Sequence, residues 1–312
     1  MTGVQRARAF GAPKAARPMH RIVFVTGKGG VGKSAVAAAT ALQFARAGQR
    51  VLLVELGSRS FYGPWLGLPA DTRAVPWQPR IGIALWDVES ALREYIGHYL
   101  VFKAAARSVL NNAVMRALVA AAPSVAELAI LGQLTAPMRH GWYKREVDTV
   151  VVDAHATGQF MALLRAPRGL SNTVASGAMH RHTSEMSKLL ADPAICAYRI
   201  VTMAEEMPIS EACEMAGAIR AETGLAADII CNRLIDLPPR LPPLAREDPG
   251  APFVAQMARV ARRQRDSLAA LEALGADRAG SVRRLPLVPT TDARRLTEAL
   301  ADALEAGAGA AT

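Results

Sequence analysis

The sequence predicts an α/β fold in which a mostly parallel sheet is flanked by helices. Two observations support this prediction. Short apolar runs typical of buried strands alternate with helical segments along most of the chain, and the 312 residues are 51% hydrophobic. A chain of this length and composition can bury one large core. We therefore predict a single domain at residues 21–304, between a basic flexible tail at 1–20 and a flexible tail at 305–312.

The first predicted strand, residues 21–26, leads directly into a glycine-rich segment. That segment reads Gly27-Lys28-Gly29-Gly30-Val31-Gly32-Lys33-Ser34. Residues 34–47 follow without proline or glycine and predict a helix. Free N–H groups and the helix dipole favour anions at a helix N-terminus, so strand, glycines and helix together indicate a phosphate-binding loop, or P-loop. The sequence thus predicts a nucleoside triphosphate as the ligand.

Residues of this loop have expected roles in such a site. Glycines let the backbone approach phosphates closely. Lys33 is placed to reach the β- and γ-phosphates, and the Ser34 hydroxyl is placed to bind Mg²⁺. ATP and Mg²⁺ are the predicted cofactors. The predicted nucleotide-binding residues of the loop are Gly27, Lys28, Gly29, Gly30, Val31, Gly32, Lys33, Ser34 and Ala35.

An acidic residue at the end of a later strand is the second predicted part of the site. Further strands are expected at residues 50–55, 147–152, 195–203, 227–233 and 282–288. The run 147–152 is followed by Asp153, a pattern typical of the Walker B carboxylate that holds the magnesium shell. A polar strand cap is the alternative role for Asp153. Because ligands bind at the carboxyl ends of strands in open α/β sheets, residues 56–67 are interpreted as a switch-like loop.

Helical segments account for most of the remaining chain. Helices are predicted at 205–223, 253–274 and 292–304, and an irregular proline-rich connection at 237–244. Residues 88–142 differ, because helical segments 89–106, 109–121 and 124–139 follow one another without a strand. Ser124 is the predicted cap of the last of these. We expect this inserted helical subdomain to bury most of its apolar surface, with a residual part serving as a groove or dimer surface.

Charge and cysteine content limit the other function classes. The net charge of +10 permits attraction to nucleic acid or to an anionic membrane. No stacking aromatics interleave the arginines, so the sequence disfavours nucleic acid as a partner. No membrane span or secretory segment is indicated, and we expect a cytoplasmic protein. Cys196, Cys213 and Cys231 match no zinc spacing and are expected to be buried or semi-buried.

Lys28, directly after the first glycine, resembles the signature residue of the deviant Walker A loop. That loop is found in the MinD, ParA, nitrogenase iron protein and ArsA group, in which this lysine reaches across a dimer interface to the partner's nucleotide. The resemblance implies a homodimer or heterodimer that closes around ATP. It also makes Lys28, with Lys33 and Asp153, part of the predicted catalytic set. A solvated lysine on an ordinary P-loop is the alternative.

The loop from Thr26 to Ser34, the helical insertion and the run 151–158 together resemble the ArsA family, especially the paired bacterial ArsA-like proteins. The resemblance covers about residues 21–304 and implies the SIMIBI type of P-loop NTPase fold. It implies an ATPase that engages a hydrophobic client or a membrane-associated partner. It also implies that Asn232 reads the adenine edge and that Pro286, in the segment 286–289, covers the other side of the base. A strand-end cap is the alternative role for Asn232.

The chain departs from the family pattern at switch I, which usually reads Thr-Asp-Pro-Ala-His. Here Leu56-Gly57-Ser58-Arg59-Ser60 places Gly57 where a water-orienting aspartate is expected. Phosphoryl transfer depends on positioning, so loss of this carboxylate slows hydrolysis unless another group, Glu55 or His155, substitutes. Three functions stay open: an ArsA-like ATPase switch, a nucleotide-holding scaffold subunit with little turnover beside a catalytic subunit, and a ParA- or MinD-like protein on DNA or membrane.

Overall fold

The computed structural model describes residues 22–71, 73–92, 123–140, 147–173, 176–237, 248–275 and 279–307. The strands in these ranges are β1 Ile22–Gly27, β2 Val51–Leu56, β3 Val75–Gln78, β4 Ile81–Trp86, β5 Thr149–Asp153, β6 Cys196–Met203, β7 Ala227–Leu234 and β8 Ala279–Pro286. The helices are α1 Lys33–Arg46, α2 Tyr62–Leu66, α3 Pro123–His140, α4 Thr157–Thr173, α5 Ala178–Leu190, α6 Glu206–Thr223, α7 Ala251–Gly275 and α8 Ala293–Ala306.

The strands form one sheet in the order β3-β4-β2-β5-β1-β6-β7-β8. Neighbouring strands are parallel except β3 and β4, which are antiparallel at one edge. Parallel strands bring their carboxyl ends to the same edge, which is where ligands bind in sheets of this kind. The predicted mostly parallel α/β fold is therefore confirmed.

Both faces of the sheet are covered by helices, and β1 shows why. Ile22 and Phe24 point into a core shared with helices α3 to α7, whereas Val23 and Val25 point into a second core shared with α1 and α8. All four side chains are fully buried. A strand buried on both faces has no polar face, which explains why β1 is a continuous apolar run rather than an alternating one.

Most predicted elements lie within one or two residues of their observed positions. Strand β8 is the exception, because it begins at Ala279 and ends at Pro286, whereas residues 282–288 were predicted. Helix α4 begins at Thr157, and Phe160 N donates to Ala156 O and closes its first turn. Helix α3 begins at Pro123, one residue before the predicted cap Ser124, since proline suits the first helical position.

The β3–β4 hairpin and helices α2, α4 and α5 were not predicted. Strand β3 contains Pro76, which is tolerated because β3 is an edge strand. Of the proposed helical insertion at 88–142, the described residues are 88–92, which are helical, and α3. The predicted helix 109–121, most of the helix 89–106 and the tail at 1–20 lie outside the described residues. The boundaries of the insertion stay a prediction.

The three cysteines are buried, as predicted, and their thiols are free. Burial raises the pKa of the Cys196 and Cys231 thiols to about 12. A thiol that stays protonated is a poor nucleophile and metal ligand, so neither cysteine is set up for redox chemistry. Among the described helices, none has both the length and the apolar character needed to cross a membrane.

Strand β1 leaves the sheet at Gly27, where there is no space for a side chain. Gly27 has φ +142, and a Cβ at this position would collide with the carbonyl oxygen of Val201 in β6. Gly29, two residues later, has no atom within 4 Å of a Cβ and does not have a positive φ. The sheet itself therefore requires glycine at position 27.

We predict that Gly27→Ala lowers the free energy of unfolding by about 3 kcal/mol, because it adds both backbone strain and an overpacked contact. Chemical denaturation of the two variants, with Gly29→Ala as the matched control, checks this prediction. Equal stability of Gly27→Ala and Gly29→Ala would contradict the close packing of β1 against β6.

Candidate functional site

The glycine-rich loop forms an open cradle between β1 and α1. Gly30 and Gly32 have φ values of +83 and +92, in the left-handed region that favours glycine. Gly32 is the N-cap of α1 and makes no side-chain cap hydrogen bond, which leaves the first amides of α1 for an anion. A Cβ at Gly29 or Gly30 would have no atom within 4 Å, so the space over the loop is free. The cradle fits a phosphate chain.

The side chain of Lys33 folds back over this loop. Its Nζ donates a hydrogen bond to the backbone oxygen of Lys28 at 3.0 Å. Partial burial lowers the pKa of Lys33, and the nearby charge of Asp153 opposes that effect. The predicted phosphate lysine and the predicted Walker B carboxylate are thus close enough to interact electrostatically.

Asp153 lies at the carboxyl end of β5, in register with Val25 of β1. Its side chain is only 7% exposed. Burial raises the pKa of Asp153 to about 6, while hydrogen bonds from the hydroxyls of Ser34 and Tyr62 and the charge of Lys33 act in the opposite direction. The structure therefore brings Lys33, Ser34 and Asp153 together, and their roles towards phosphate and magnesium stay predictions.

These side chains offer the ligand atoms that Mg²⁺ prefers. The Ser34 hydroxyl and the Asp153 carboxylate are both hard oxygen donors, and a hydrogen bond joins them. Magnesium is usually held by one or two protein oxygens together with phosphates and water. In the described ranges, no group of three or more His, Cys, Asp or Glu residues could hold a metal ion by itself. The donor set fits a magnesium ion that arrives with a nucleotide.

The segment after β2 is tied down by a buried carboxylate. Glu55 accepts hydrogen bonds from the Ser60 hydroxyl at 2.8 Å and from the Phe61 amide, one on each carboxylate oxygen. The Ser60 hydroxyl in turn accepts from Gly63 N at 2.8 Å. Both oxygens of Glu55 are thus engaged in fixing α2. This carboxylate is poorly placed to replace the missing aspartate.

Gly57 adopts a backbone conformation that residues with side chains rarely use. Its φ is +153, and its amide donates to the backbone oxygen of Trp86 at 3.0 Å. His155 is the other candidate for orienting a water. Its backbone oxygen accepts from the Thr26 hydroxyl at 2.9 Å, and burial lowers the pKa of its imidazole, with Glu127 of α3 opposing and Lys33 reinforcing the effect.

Sequence reasoning missed Tyr62, the first residue of α2. Its hydroxyl oxygen lies 2.9 Å from the backbone oxygen of Ser34 and 3.1 Å from Asp153 Oδ2. Desolvation and the neighbouring Asp153 raise the pKa of Tyr62 well above its ordinary value. No motif marks this tyrosine, because its partners lie 28 and 91 residues away in the chain.

Asn232 lies near the carboxyl end of β7 and packs against the P-loop. Its Nδ2 donates to the backbone oxygen of Val31 at 2.9 Å, and its Oδ1 accepts from Arg233 N at 2.9 Å. A Cβ at Gly32 would clash with the Asn232 amide, so this contact requires glycine there. Adenine recognition by Asn232 stays a prediction, and the observed contact gives the side chain a second role.

Pro286 ends β8 beside a cavity of about 450 Å³. The cavity lies between the ends of β7 and β8 and helix α7, with Ile235, Gln264 and Pro286 in its lining. Asn232 does not belong to that lining. The two residues proposed to enclose a base thus lie on neighbouring strands but do not share this cavity.

Lys28 is held within its own chain. Its Nζ lies 2.5 Å from Glu211 Oε1 on helix α6, and both side chains are partly exposed. Met207, one turn earlier on α6, is 65% exposed. The lysine expected to reach a partner subunit is therefore on the surface, beside an exposed apolar side chain.

Comparison with known proteins shows which proteins the chain resembles. A family model described as anion-transporting ATPase matches residues 20–57, which span β1, the P-loop, α1 and β2. The ATPase BagA of Mycobacterium tuberculosis is 28% identical over 235 residues, covering 72% of this chain and 67% of that protein. These matches support membership of the ArsA ATPase family, and the matched stretch includes the P-loop.

Other ArsA-type relatives are larger and match over a shorter stretch. The arsenical pump-driving ATPase of Acidiphilium multivorum is 29% identical over 157 residues, covering 49% of this chain and 27% of that protein. The arsenical pump-driving ATPase of Escherichia coli is 26% identical over 157 residues, with the same two coverages.

The dual position of Asn232 gives a testable prediction. Asn232→Ala leaves the backbone oxygen of Val31 without its donor, so we expect the affinity for ATP to fall about tenfold. If the amide also binds adenine, Asn232→Ala should weaken the binding of ATP more than the binding of GTP or of inorganic tripolyphosphate, which lacks a base. Calorimetric titration with the three ligands measures this difference. Equal losses for all three would assign Asn232 to the P-loop alone.

Proposed function

We propose that this chain binds and hydrolyses Mg-ATP and acts as a dimeric switch that couples nucleotide binding to the engagement of a partner or client. The observation that carries this proposal is the convergence of Lys33, Ser34 and Asp153 at one edge of the sheet, in a chain that is similar to ArsA-type ATPases. Positioning and charge stabilisation are the main requirements for phosphoryl transfer, and these three residues supply both.

The geometry supports the following roles for the individual residues. The loop amides and Lys33 bind the β- and γ-phosphates, once Lys33 exchanges the Lys28 backbone oxygen for a phosphate oxygen. Ser34 and Asp153 hold the magnesium ion, which neutralises charge on the phosphates when it is bound. His155 is our candidate for orienting the attacking water, because both oxygens of Glu55 are engaged in fixing α2.

The contacts of helix α4 suggest how a signal leaves the site. Helix α4 begins four residues after Asp153 and packs on α3, which belongs to the proposed helical insertion. Leu128 and Leu131 of α3 share a buried core with Phe160 of α4. A displacement after Asp153 would therefore move α3 and the surface that a hydrophobic client or membrane-associated partner would use.

A scaffold subunit with little turnover is the second candidate function, and Gly57 favours it. The position lacks the water-orienting carboxylate expected from the family resemblance, and its φ of +153 disfavours any side chain there. Such a subunit would hold nucleotide beside a catalytic ArsA-like sibling. The ParA- or MinD-like alternative depends on net charge alone and carries no proposal.

We predict that the wild-type protein hydrolyses ATP in a magnesium-dependent manner and that Lys33→Ala abolishes this turnover. We also expect Lys33→Ala to weaken ATP binding by at least about tenfold, because a charge-assisted hydrogen bond is lost. Phosphate release and calorimetric ATP titration measure the two effects. Lys188→Ala, at an exposed position of helix α5, is the matched control.

The outcomes separate the two candidate functions. Turnover above the Lys33→Ala blank supports the ATPase. ATP binding without such turnover supports the scaffold subunit. Absence of ATP binding by the wild-type protein would refute both.

For the dimer, we predict that ATP promotes self-association and that Lys28→Ala removes this effect. Glu211→Gln frees Lys28 from its intrachain partner and strengthens ATP-dependent dimerisation up to about fivefold, since an exposed ion pair contributes at most about 1 kcal/mol. Sedimentation velocity with and without Mg-ATP measures the dimer. Glu214→Gln, on the exposed side of the same helix, is the control. Wild-type dimerisation in Lys28→Ala would contradict a role for this lysine in trans.

A further inference from the structure

A buried tyrosine connects residues 56–67, which we call the switch segment, to the proposed magnesium ligands. Tyr62 is 1% exposed although it carries a polar hydroxyl. Its ring lies in the core beneath α1, with the rings of Phe61 and Trp65 at centroid distances of 5.5 and 6.2 Å. A buried phenol normally has a hydrogen-bond partner, because an unpaired hydroxyl in the interior is unfavourable.

The partners of this hydroxyl belong to two other elements. The Tyr62 oxygen lies 2.9 Å from the backbone oxygen of Ser34, in the first turn of α1, and 3.1 Å from Asp153 Oδ2, at the end of β5. The phenol has one hydrogen, which these two acceptors share. One side chain of the switch segment therefore bridges both residues that supply the proposed metal ligands.

Helix α2, which carries Tyr62, is itself held in place. The buried Glu55 carboxylate accepts from the Ser60 hydroxyl and from the Phe61 amide, and Ser60 also accepts from Gly63 N. These bonds fix the backbone on both sides of Tyr62. The hydroxyl can leave Asp153 only if α2 moves or its side chain changes rotamer.

We propose that Tyr62 is a positioning residue for the metal site: its hydroxyl holds the Asp153 carboxylate and the Ser34 backbone in the arrangement that receives Mg²⁺ with the nucleotide. The magnesium site thereby depends on the position of α2. This inference rests on the proposed function, because it concerns the same Mg-ATP site. Gly57 has no side chain to make such a connection, whereas Tyr62 makes it five residues later.

Removing the hydroxyl alone tests the idea. Tyr62→Phe keeps the buried ring and deletes the oxygen. Tyr198→Phe is the matched control. Tyr198 is 2% exposed and stacks on Phe24, and its hydroxyl donates to the Leu190 backbone oxygen over 2.7 Å. These contacts do not involve the proposed metal ligands. Both variants lose one buried tyrosine hydroxyl. Thermal unfolding followed by circular dichroism confirms that each is folded.

ATP affinity is measured by calorimetry in EDTA and then at increasing MgCl₂ concentrations. The Mg²⁺ midpoint is the Mg²⁺ concentration that gives half of the maximal gain in ATP affinity. We expect Tyr62→Phe to raise this midpoint about tenfold, because a hydrogen bond to a carboxylate is lost. We expect ATP affinity in EDTA to stay at the wild-type value. Tyr198→Phe should match the wild type under both conditions.

Two results would overturn the proposal. One is an unchanged Mg²⁺ midpoint in Tyr62→Phe. The other is an equal loss of ATP affinity with and without Mg²⁺, which would indicate a general packing defect. Failure of the wild-type protein to bind ATP is a different outcome, because it refutes the proposed function itself and removes the basis for this inference.

A second variant tests the dependence on α2 without touching Tyr62. Ser60→Ala removes the hydroxyl that joins Glu55 to Gly63 N, so we expect the Mg²⁺ midpoint to shift in the same direction by about threefold.

Trp65 provides a spectroscopic readout because its ring is near Tyr62. Its Mg²⁺-dependent emission change in the ATP complex, assigned with Trp65→Phe, should be lost in Tyr62→Phe and kept in Tyr198→Phe. An unshifted Ser60→Ala midpoint or a retained Tyr62→Phe signal would refute the coupling.

Discussion

The central strand β1 emerges from the sheet between β5 and β6, and the rest of the site is arranged around that exit. Because β1 pairs with both neighbours up to its last residues, the chain can turn only over the carboxyl edge. The turn carries Lys33 and Ser34 into the first turn of α1, next to Asp153 on β5. From two strands away, Asn232 reaches the same loop through the backbone oxygen of Val31. Close packing of the sheet thus determines which side chains meet.

Two carboxylates are buried at the carboxyl edge of the sheet. Burial of a charged group is unfavourable unless hydrogen bonds compensate for the lost hydration. Asp153 and Glu55 are both buried at the ends of adjacent strands, and each is surrounded by donors from loops and helix starts. Below the site, Arg199 of β6 donates to the Thr40 hydroxyl of α1 at 2.8 Å, and burial lowers its pKa to about 10. These polar contacts hold α1 and the switch segment in fixed positions relative to the sheet.

The parts of this arrangement that the sequence predicts are those with local signals. The P-loop is a contiguous motif between an apolar strand and an alanine-rich helix, and Asp153 directly follows an apolar run. The β3–β4 hairpin escaped prediction because its turn contains Pro79 and Arg80, with Arg80 at φ +69, instead of the glycine or asparagine that marks such turns. The contacts of Tyr62 and Asn232 escaped because they join residues 28 to 201 positions apart. No local pattern encodes which distant backbone oxygen a side chain meets.

The anchored switch segment has a consequence for how nucleotide state can be transmitted. In many nucleotide switches the terminal phosphate orders a loop that is otherwise disordered, so the signal is a gain of structure. Here residues 62–66 already form a helix. Hydrogen bonds from Ser60 and Phe61 to Glu55 hold the start of this helix at the end of β2. Little conformational entropy remains to be lost in this segment. Under the proposed switch function, a signal that passes through α2 would therefore be carried by displacement of a preformed rigid element, with a small entropic penalty.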